Sequence, residues 1–258
     1  MEYKTIKYSV TDGVATIMMD RASVMNALNT QMRAEIAHAA QAAGTEARVL
    51  VITGDGRAFC SGQDLSDRAN ASNMDMERTL RDEYGPMIRA IYDCPIPTIS
   101  AVNGAAAGAG ANLALAADIV IASESAYFMQ AFARIGLIPD AGGTYWMTRS
   151  MGMAKAMGAA LFADKITARQ ADDWGLIWEA VPDAEFAAVW QARAQQLASG
   201  PTAAYQGIKT SIRSAFNNTI EQQLDLEGKL QGACGKTRDF QEGVVAFLEK
   251  RPAKFEGR

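Results

Sequence analysis

Short apolar runs alternate with longer segments of helical character along the first 180 residues. The runs at 13–19, 48–53, 97–102 and 118–122 are rich in β-branched residues, which is typical of buried strands. A helix is predicted over 30–43, with Asn29 as its N-cap. This rhythm of strand, helix and strand predicts an α/β fold.

The last 75 residues have a different pattern. Apolar positions at helical spacing predict four helices, and they cover 183–199, 201–216, 219–231 and 237–250. Two of the helical segments after residue 160 begin with a capping box, Thr167 with Gln170 and Thr219 with Gln222. A helical region therefore follows a strand-rich one.

The stretch 102–112 connects a predicted strand to a predicted helix that begins at Asn112, and it consists almost entirely of Gly and Ala. Backbone N–H groups at a helix start lack partners, so such a turn favours negative charge. Tight packing of a helix on a sheet is the alternative interpretation. The stretch has no P-loop lysine, and Leu113 stands where a dinucleotide fingerprint needs Gly or Ala.

Composition and charge exclude several classes of protein. The 258 residues carry a net charge of -4 with no long basic run, which argues against nucleic acid as a partner. Neither a membrane-spanning run nor a signal peptide is found. Three scattered cysteines indicate a reducing, cytoplasmic location. The single histidine, His38, lies in an Ala-rich helical segment, which leaves carboxylates and backbone groups as the candidates for catalysis.

Two further turns could hold a ligand. The loop 59–65 contains small residues whose amides could be open to a ligand, although the loop taken alone favours a plain turn. The glycine-rich turn 135–144 opens a helix and contains Asp140, an acid in an otherwise apolar segment. A structural aspartate in a turn or at an N-cap is the alternative interpretation of Asp140.

Taken together, these motifs resemble the enoyl-CoA hydratase/isomerase (crotonase) family, and the resemblance spans essentially the whole chain. The matching segments are 21–28, 59–65, 101–104 with 108–110, 117–119, 136–144, 174–177 and 242–251. Ala22 stands where the family usually has proline. The resemblance implies a spiral core of repeated ββα turns over 1–195 and a C-terminal helical region over 196–258 that forms trimers or a dimer of trimers.

The resemblance also implies a ligand for the glycine turns, namely the oxygen of an acyl-CoA thioester. The backbone N–H groups of Ser61 and Ala109 would form an oxyanion hole for it. Acyl-CoA is a substrate here, so neither a cofactor nor a metal is expected. The residues expected to bind the substrate or its CoA are Arg21, Ala22, Val24, Ser61, Gly62, Gln63, Asp64, Leu65, Gly108, Ala109 and Phe132, with Phe247 and Lys250 from a neighbouring subunit.

The positions of the acidic residues distinguish the reactions that members of the family catalyse. Its hydratases use two glutamates, and the corresponding positions here hold Asn112 and Phe132. Asp140 stands where isomerases and some dehalogenases carry an aspartate. The expected function is therefore an acyl-CoA isomerase with Asp140 as its base, acting on ring 1,2-epoxyphenylacetyl-CoA or on an enoyl-CoA double bond. A hydratase, a dehalogenase, an acyl-CoA hydrolase and a non-catalytic acyl-CoA-binding protein are the alternatives.

Overall fold

The computed structural model describes residues 2–64 and 75–258. In this part of the chain ten strands form two sheets, ordered β1-β2-β3-β5-β7-β10 and β4-β6-β8-β9. The strands are β1 (Ile6–Thr11), β2 (Val14–Met19), β3 (Val49–Gly54), β4 (Ala58–Cys60), β5 (Thr98–Val102), β6 (Ala105–Ala107), β7 (Ile119–Ser123), β8 (Tyr127–Met129), β9 (Lys165–Thr167) and β10 (Glu179–Val181).

Eleven α-helices surround these sheets in the described residues. They are α1 (Thr30–Glu46), α2 (Met76–Thr79), α3 (Gly85–Tyr92), α4 (Ala109–Leu115), α5 (Gly143–Ser150), α6 (Gly152–Phe162), α7 (Ala168–Asp173), α8 (Phe186–Ala198), α9 (Thr202–Ser214), α10 (Ile220–Cys234) and α11 (Arg238–Glu249). A π-helical turn, Leu80–Tyr84, joins α2 to α3, and a 3₁₀ turn covers Ala131–Ile135.

The first sheet is covered on both faces. Its strands are parallel except for β1, which pairs antiparallel with β2 at the edge. Along β3, Leu50 and Ile52 pack in the same cluster as α1, while Val49 and Val51 pack in the same cluster as α8. Successive side chains of a strand point to opposite faces, so a strand buried on both sides is apolar throughout.

In the second sheet, three of the four short strands follow a strand of the first, and the fourth, β9, follows α6. After β3 the chain enters β4, after β5 it enters β6, and after β7 it enters β8. Since β5, β6 and α4 are consecutive, the Gly/Ala stretch crosses from one sheet to the other and then opens a helix. This repeat confirms the expected spiral of ββα turns.

An ion-paired cluster fastens the C-terminal helices to the first sheet. Asp118, just before β7, accepts bonds from Lys209 Nζ over 2.7 Å and Arg213 Nη2 over 2.6 Å, both on α9. The expected division at residue 195 falls within α8, whose Ala194 and Ala198 pack under the sheet. That division stays a prediction.

The apolar pattern predicts most of the longer elements but not β1, and it does not predict the three-residue strands β4, β6 and β9. The strands β2, β3, β5 and β7 and the helices α1 and α8–α11 are confirmed, as is Asn29 as the N-cap of α1. The helix expected from Asn112 begins three residues earlier, at Ala109. His38 lies on the exposed side of α1 and meets Tyr3 Oη over 2.9 Å through Nδ1.

Candidate active site

A cavity of about 280 Å³ lies where the loop after β4, the start of α4 and the π-helical turn meet. It brings together residues from the three glycine-containing turns that the sequence singled out. Its lining is Ser61, Gly62, Gln63, Met76, Thr79, Leu80, Tyr84, Gly108, Ala109, Ala131, Phe132, Arg134, Ile135, Leu137 and Asp140.

The loop after β4 is clamped by the main chain of Leu28. The Leu28 N–H donates to Gly62 O over 2.7 Å, and the Asp64 N–H donates to Leu28 O over 3.1 Å. Gly62 has a φ of +94°, and a Cβ there would lie 2.8 Å from Ala107 O, so the turn requires glycine. These bonds flank Gln63 and leave its own N–H without an acceptor in the described part of the chain.

The expectation that the Ser61 amide is an oxyanion donor is wrong for this conformation. The Ser61 N–H donates to Met25 O over 3.0 Å, because Met25 and Asn26 both have left-handed backbones (φ +53° and +54°) that turn this carbonyl toward the loop. Gln63 carries the free amide instead. The signal that identifies it is the pairing of Leu28 with Gln63, which the sequence letters do not show.

Ala109 provides a second free amide at the same cavity. It is the first residue of α4, and its N–H has no acceptor among residues 2–64 and 75–258. Gly108 before it has φ +53° and ψ -129°, a conformation open to glycine, and donates its own N–H to Met129 O over 2.8 Å. The cavity is thus lined by two residues, Gln63 and Ala109, with unpaired backbone donors.

Asp140 is the single carboxyl group among the lining residues that the structure describes. Burial raises the pKa of Asp140 to about 6, opposed by a bond from its own backbone N–H. Its Oδ1 is buried and has no partner in the described residues. The N-cap of α5 is Gly142, without a side-chain bond, so the N-cap interpretation of Asp140 is wrong.

Asn112 and Phe132, which stand where the resemblance places the glutamates of hydratases, have no carboxyl group, and their side chains make other contacts. Asn112 is fully buried; its Nδ2 donates to Asp140 O over 2.8 Å, and its Oδ1 accepts from Gln130 Nε2 over 2.8 Å. Phe132 lines the cavity with an apolar ring. Phe128 is buried in the core, and Ile138, two residues before Asp140, is 78% exposed.

The other predicted binding residues near the N-terminus and after Gln63 that the structure describes are not among the lining residues of this cavity. Arg21 donates to Asp64 Oδ2 over 2.8 Å and to Ala27 O over 2.6 Å, and neither Arg21 nor Asp64 is among the lining residues described. Ala22 and Val24 both lie in a short 3₁₀ turn, and the Val24 carbonyl accepts from Ser61 Oγ over 3.3 Å. Leu65 lies outside the described residues.

Phe247 and Lys250 lie elsewhere on the same chain. Phe247 is 83% exposed and lines a groove between α9, α10 and α11 that shares no described residue with the Asp140 cavity. Lys250 caps the end of α11 in a left-handed conformation. One chain therefore does not bring these two residues to the cavity.

The described residues contain neither a candidate metal site nor a membrane-spanning helix. No group of three or more His, Cys, Asp or Glu side chains could hold a metal ion there. None of the helices described is long and apolar enough to span a bilayer.

Comparison with known proteins agrees with the fold and the motifs. Residues 9–258 match the family described as Enoyl-CoA hydratase/isomerase. A probable enoyl-CoA hydratase of Rhodobacter capsulatus is 58% identical over 258 residues, the whole of both chains. The 1,2-epoxyphenylacetyl-CoA isomerase of Escherichia coli is 44% identical over 254 residues, 96% of this chain and 97% of the relative.

Solved structures give the same result. The crystal structure of a putative enoyl-CoA hydratase/isomerase from Mycobacterium abscessus superposes with a TM-score of 0.93 at 37% identity, and the match covers 98% of this chain and 100% of the other. The resemblance expected from the motifs is confirmed: the chain belongs to the enoyl-CoA hydratase/isomerase family.

Proposed function

We propose that this protein is an acyl-CoA isomerase that moves a proton between two carbon atoms of one substrate. The observation that carries the proposal is a cavity whose described lining has one carboxyl group, that of Asp140, and two residues, Gln63 and Ala109, whose backbone N–H groups have no acceptor among the described residues. Acyl-CoA thioesters are the substrates on which crotonase-family enzymes act.

The proposed reaction follows from the Asp140 carboxylate and from the negative charge that develops on the thioester oxygen. The Asp140 carboxylate takes a proton from the carbon next to the thioester carbonyl, and the electron pair of that C–H bond moves onto the thioester oxygen. The Gln63 and Ala109 amides donate to this oxygen, and one such donor is worth roughly 3–4 kcal/mol in a transition state. The Asp140 carboxylic acid then returns the proton to another carbon, which restores the carbonyl.

The substrate is proposed from the relatives. The isomerase of Escherichia coli, 44% identical, is named for 1,2-epoxyphenylacetyl-CoA, which supports conversion of this ring epoxide to the oxepin in phenylacetate breakdown. A double-bond shift in an enoyl-CoA is the other reaction the same site would serve, because both reactions move a proton within one molecule. The ring expansion also breaks the carbon–carbon bond shared by the epoxide and the six-membered ring, and its electron pair forms a new double bond of the oxepin, so no atom is gained or lost.

Hydration is the second candidate, since the Rhodobacter capsulatus relative at 58% identity is named a probable enoyl-CoA hydratase. Adding water needs a group that activates the water and a group that delivers a proton to carbon. Asn112 and Phe132 occupy the positions of those acids, and among the lining residues described only Asp140 has a carboxyl group.

The deciding experiment incubates the purified protein with a 3-enoyl-CoA and, separately, with ring 1,2-epoxyphenylacetyl-CoA, and follows the products by mass spectrometry. We expect products of unchanged mass with a shifted double bond or an expanded ring. Addition of one water would indicate a hydratase, and released CoA a hydrolase. Unchanged substrates would indicate a non-catalytic acyl-CoA-binding protein.

We further propose a homo-oligomer in which Phe247 and Lys250 of one copy contact the CoA of another. The support is a set of exposed apolar side chains on α9, in the turn after it and on α11, which includes Ile212, Phe216 and Leu248 (64%, 63% and 73% exposed). Calorimetry with CoA tests it, because Lys250→Ala should weaken CoA binding; unchanged affinity would remove Lys250 from the site.

All three cysteines are free, which supports the cytoplasm as the location.

A further inference from the structure

A buried cation lies directly behind the loop that carries Gln63. Arg33 on α1 is only 3% exposed. Its Nε donates to Glu83 Oε2 over 3.0 Å, its Nη2 to Thr30 Oγ1 over 3.0 Å and its Nη1 to Leu28 O over 2.7 Å. A buried charge is costly unless it is paired and hydrogen-bonded, so these contacts fix where the guanidinium sits.

Two side chains converge on the side-chain carbonyl of Gln63. Tyr84 Oη donates to Gln63 Oε1, and Arg33 Nη1 donates to the same oxygen over 3.3 Å. The Tyr84 ring is itself 3% exposed and lies under the Arg33 guanidinium, with 4.7 Å from the guanidinium carbon to the ring centroid. Tyr84 closes the π-helical turn and lines the cavity.

The peptide of Gln63 is therefore held from two directions. Leu28 binds the main chain on either side of it, and Arg33 with Tyr84 binds the side chain. Arg33 Nη1 joins the two, because it donates both to Leu28 O and to Gln63 Oε1. Rotation of the Gln63 peptide would turn its free N–H away from the cavity. It would break the main-chain bonds to Leu28 and the side-chain bonds to Arg33 and Tyr84.

We propose that Arg33 and Tyr84 are positioning residues that hold the Gln63 N–H in line with the thioester oxygen of the substrate. The inference rests on the proposed function, since it assumes that Gln63 is an oxyanion donor. Neither residue has to touch the substrate, and the effect on the reaction passes through Gln63. Preorganised donors stabilise developing charge best when they do not reorient during the reaction.

The test measures the oxyanion hole itself by infrared spectroscopy. Phenylacetyl-CoA labelled with ¹³C at the thioester carbonyl is bound to the wild type, to Tyr84→Phe, to Gln63→Met and to the double variant. Tyr205→Phe, a tyrosine on α9 outside the cavity lining described, is the matched control. Hydrogen bonds to the carbonyl lower its stretching frequency, and we expect the wild type and the control to show the full lowering.

Tyr84→Phe and Gln63→Met should each retain only part of this lowering, with kcat reduced roughly tenfold and KM changed less than about threefold. The double variant should be no worse than either single variant, because both changes break the same link. An additive double variant would mean that Tyr84 acts on the substrate directly, and it would overturn the inference.

Two further outcomes separate the inference from the function on which it rests. No lowering of the carbonyl frequency in the wild type would contradict the oxyanion hole and with it the proposed function. Full lowering in the wild type together with full lowering in folded Tyr84→Phe and Gln63→Met would leave the proposed function intact and overturn the positioning role.

Discussion

The side-chain amide of Asn112 donates a hydrogen bond to the carbonyl oxygen of Asp140 over 2.8 Å. Gln130 Nε2 in turn donates to Asn112 Oδ1 over 2.8 Å, which orients the Asn112 amide so that its NH₂ group faces Asp140. Both amide side chains are buried, at 0% and 2% exposure. Asn112 thus supports the main chain of the proposed base, Asp140.

Loss of this support should affect turnover more than binding. We expect Asn112→Ala to lower kcat by roughly 10- to 100-fold and to change KM less than about threefold, because a carboxylate displaced by a fraction of an ångström transfers protons poorly. Steady-state kinetics with the best acyl-CoA substrate measures both constants.

Ser100→Ala is the matched control for the Asn112 variant. Ser100 is equally buried, on β5, and its hydroxyl has no partner in the described residues. Its removal should leave kcat unchanged. If Asn112→Ala lowers the unfolding midpoint but keeps wild-type kcat, Asn112 serves stability alone.

The pH dependence of the reaction should report Asp140. Burial raises the pKa of this carboxyl group to about 6, and only the ionised form accepts a proton. We therefore expect kcat/KM to rise with pH through an apparent pKa near 6 and to level off above it. A profile that is flat from pH 5 to 8 would argue against a carboxylate base in this environment.

Hydration of crotonyl-CoA should be very slow. The reaction needs a second acid or base that the Asn112 and Phe132 positions do not supply. Following the loss of enoyl absorbance measures the rate directly. A kcat above roughly 10 per second, which is ordinary for an enzyme, would show that the assignment of acids is wrong.

The ionised Asp140 carboxylate should lower the free energy of unfolding at neutral pH. Its folded pKa of about 6 lies above the ordinary value of 3.8, so between these values the folded state holds a proton that the unfolded state has released. Stability therefore falls as pH rises from about 4 to 6. At pH 8 we expect Asp140→Asn to raise the free energy of unfolding by about 1–2 kcal/mol, since part of the carboxylate stays solvated.

Denaturant unfolding at two pH values checks this prediction. Below pH 4 the carboxyl group is protonated in the folded state, so the wild type and Asp140→Asn should have similar stabilities. A variant that is less stable than the wild type at pH 8 would contradict the burial of an ionised Asp140.

The sequence predicts the strands that are buried on both faces, because β3 is apolar from Val49 to Ile52 and β5 consists of small or β-branched residues. It does not predict β4, β6 and β9, since three-residue strands of small or mixed residues have no periodicity of their own and form only by pairing across turns. Asp140 could be singled out as an acid in an apolar segment next to a glycine turn.

The free amide of Gln63 could not be identified in the same way. Which peptide of the loop 59–65 faces the cavity depends on its register against Met25 and Leu28, about 35 residues earlier. A shift of two residues separates the expected donor, Ser61, from Gln63. The same applies to Asn112 and Gln130, whose contact with each other and with Asp140 exists only once α4 and the turn before α5 are packed.

The turnover of Asp140→Asn tests the central claim most directly. The substitution keeps the size of the side chain and removes the base, so kcat for isomerisation should fall by roughly 10²–10⁴. The affinity for acyl-CoA should change little, because the Gln63 and Ala109 amides are untouched. A folded Asp140→Asn protein that isomerises its substrate at nearly the wild-type rate would contradict the role of Asp140 as the proton carrier.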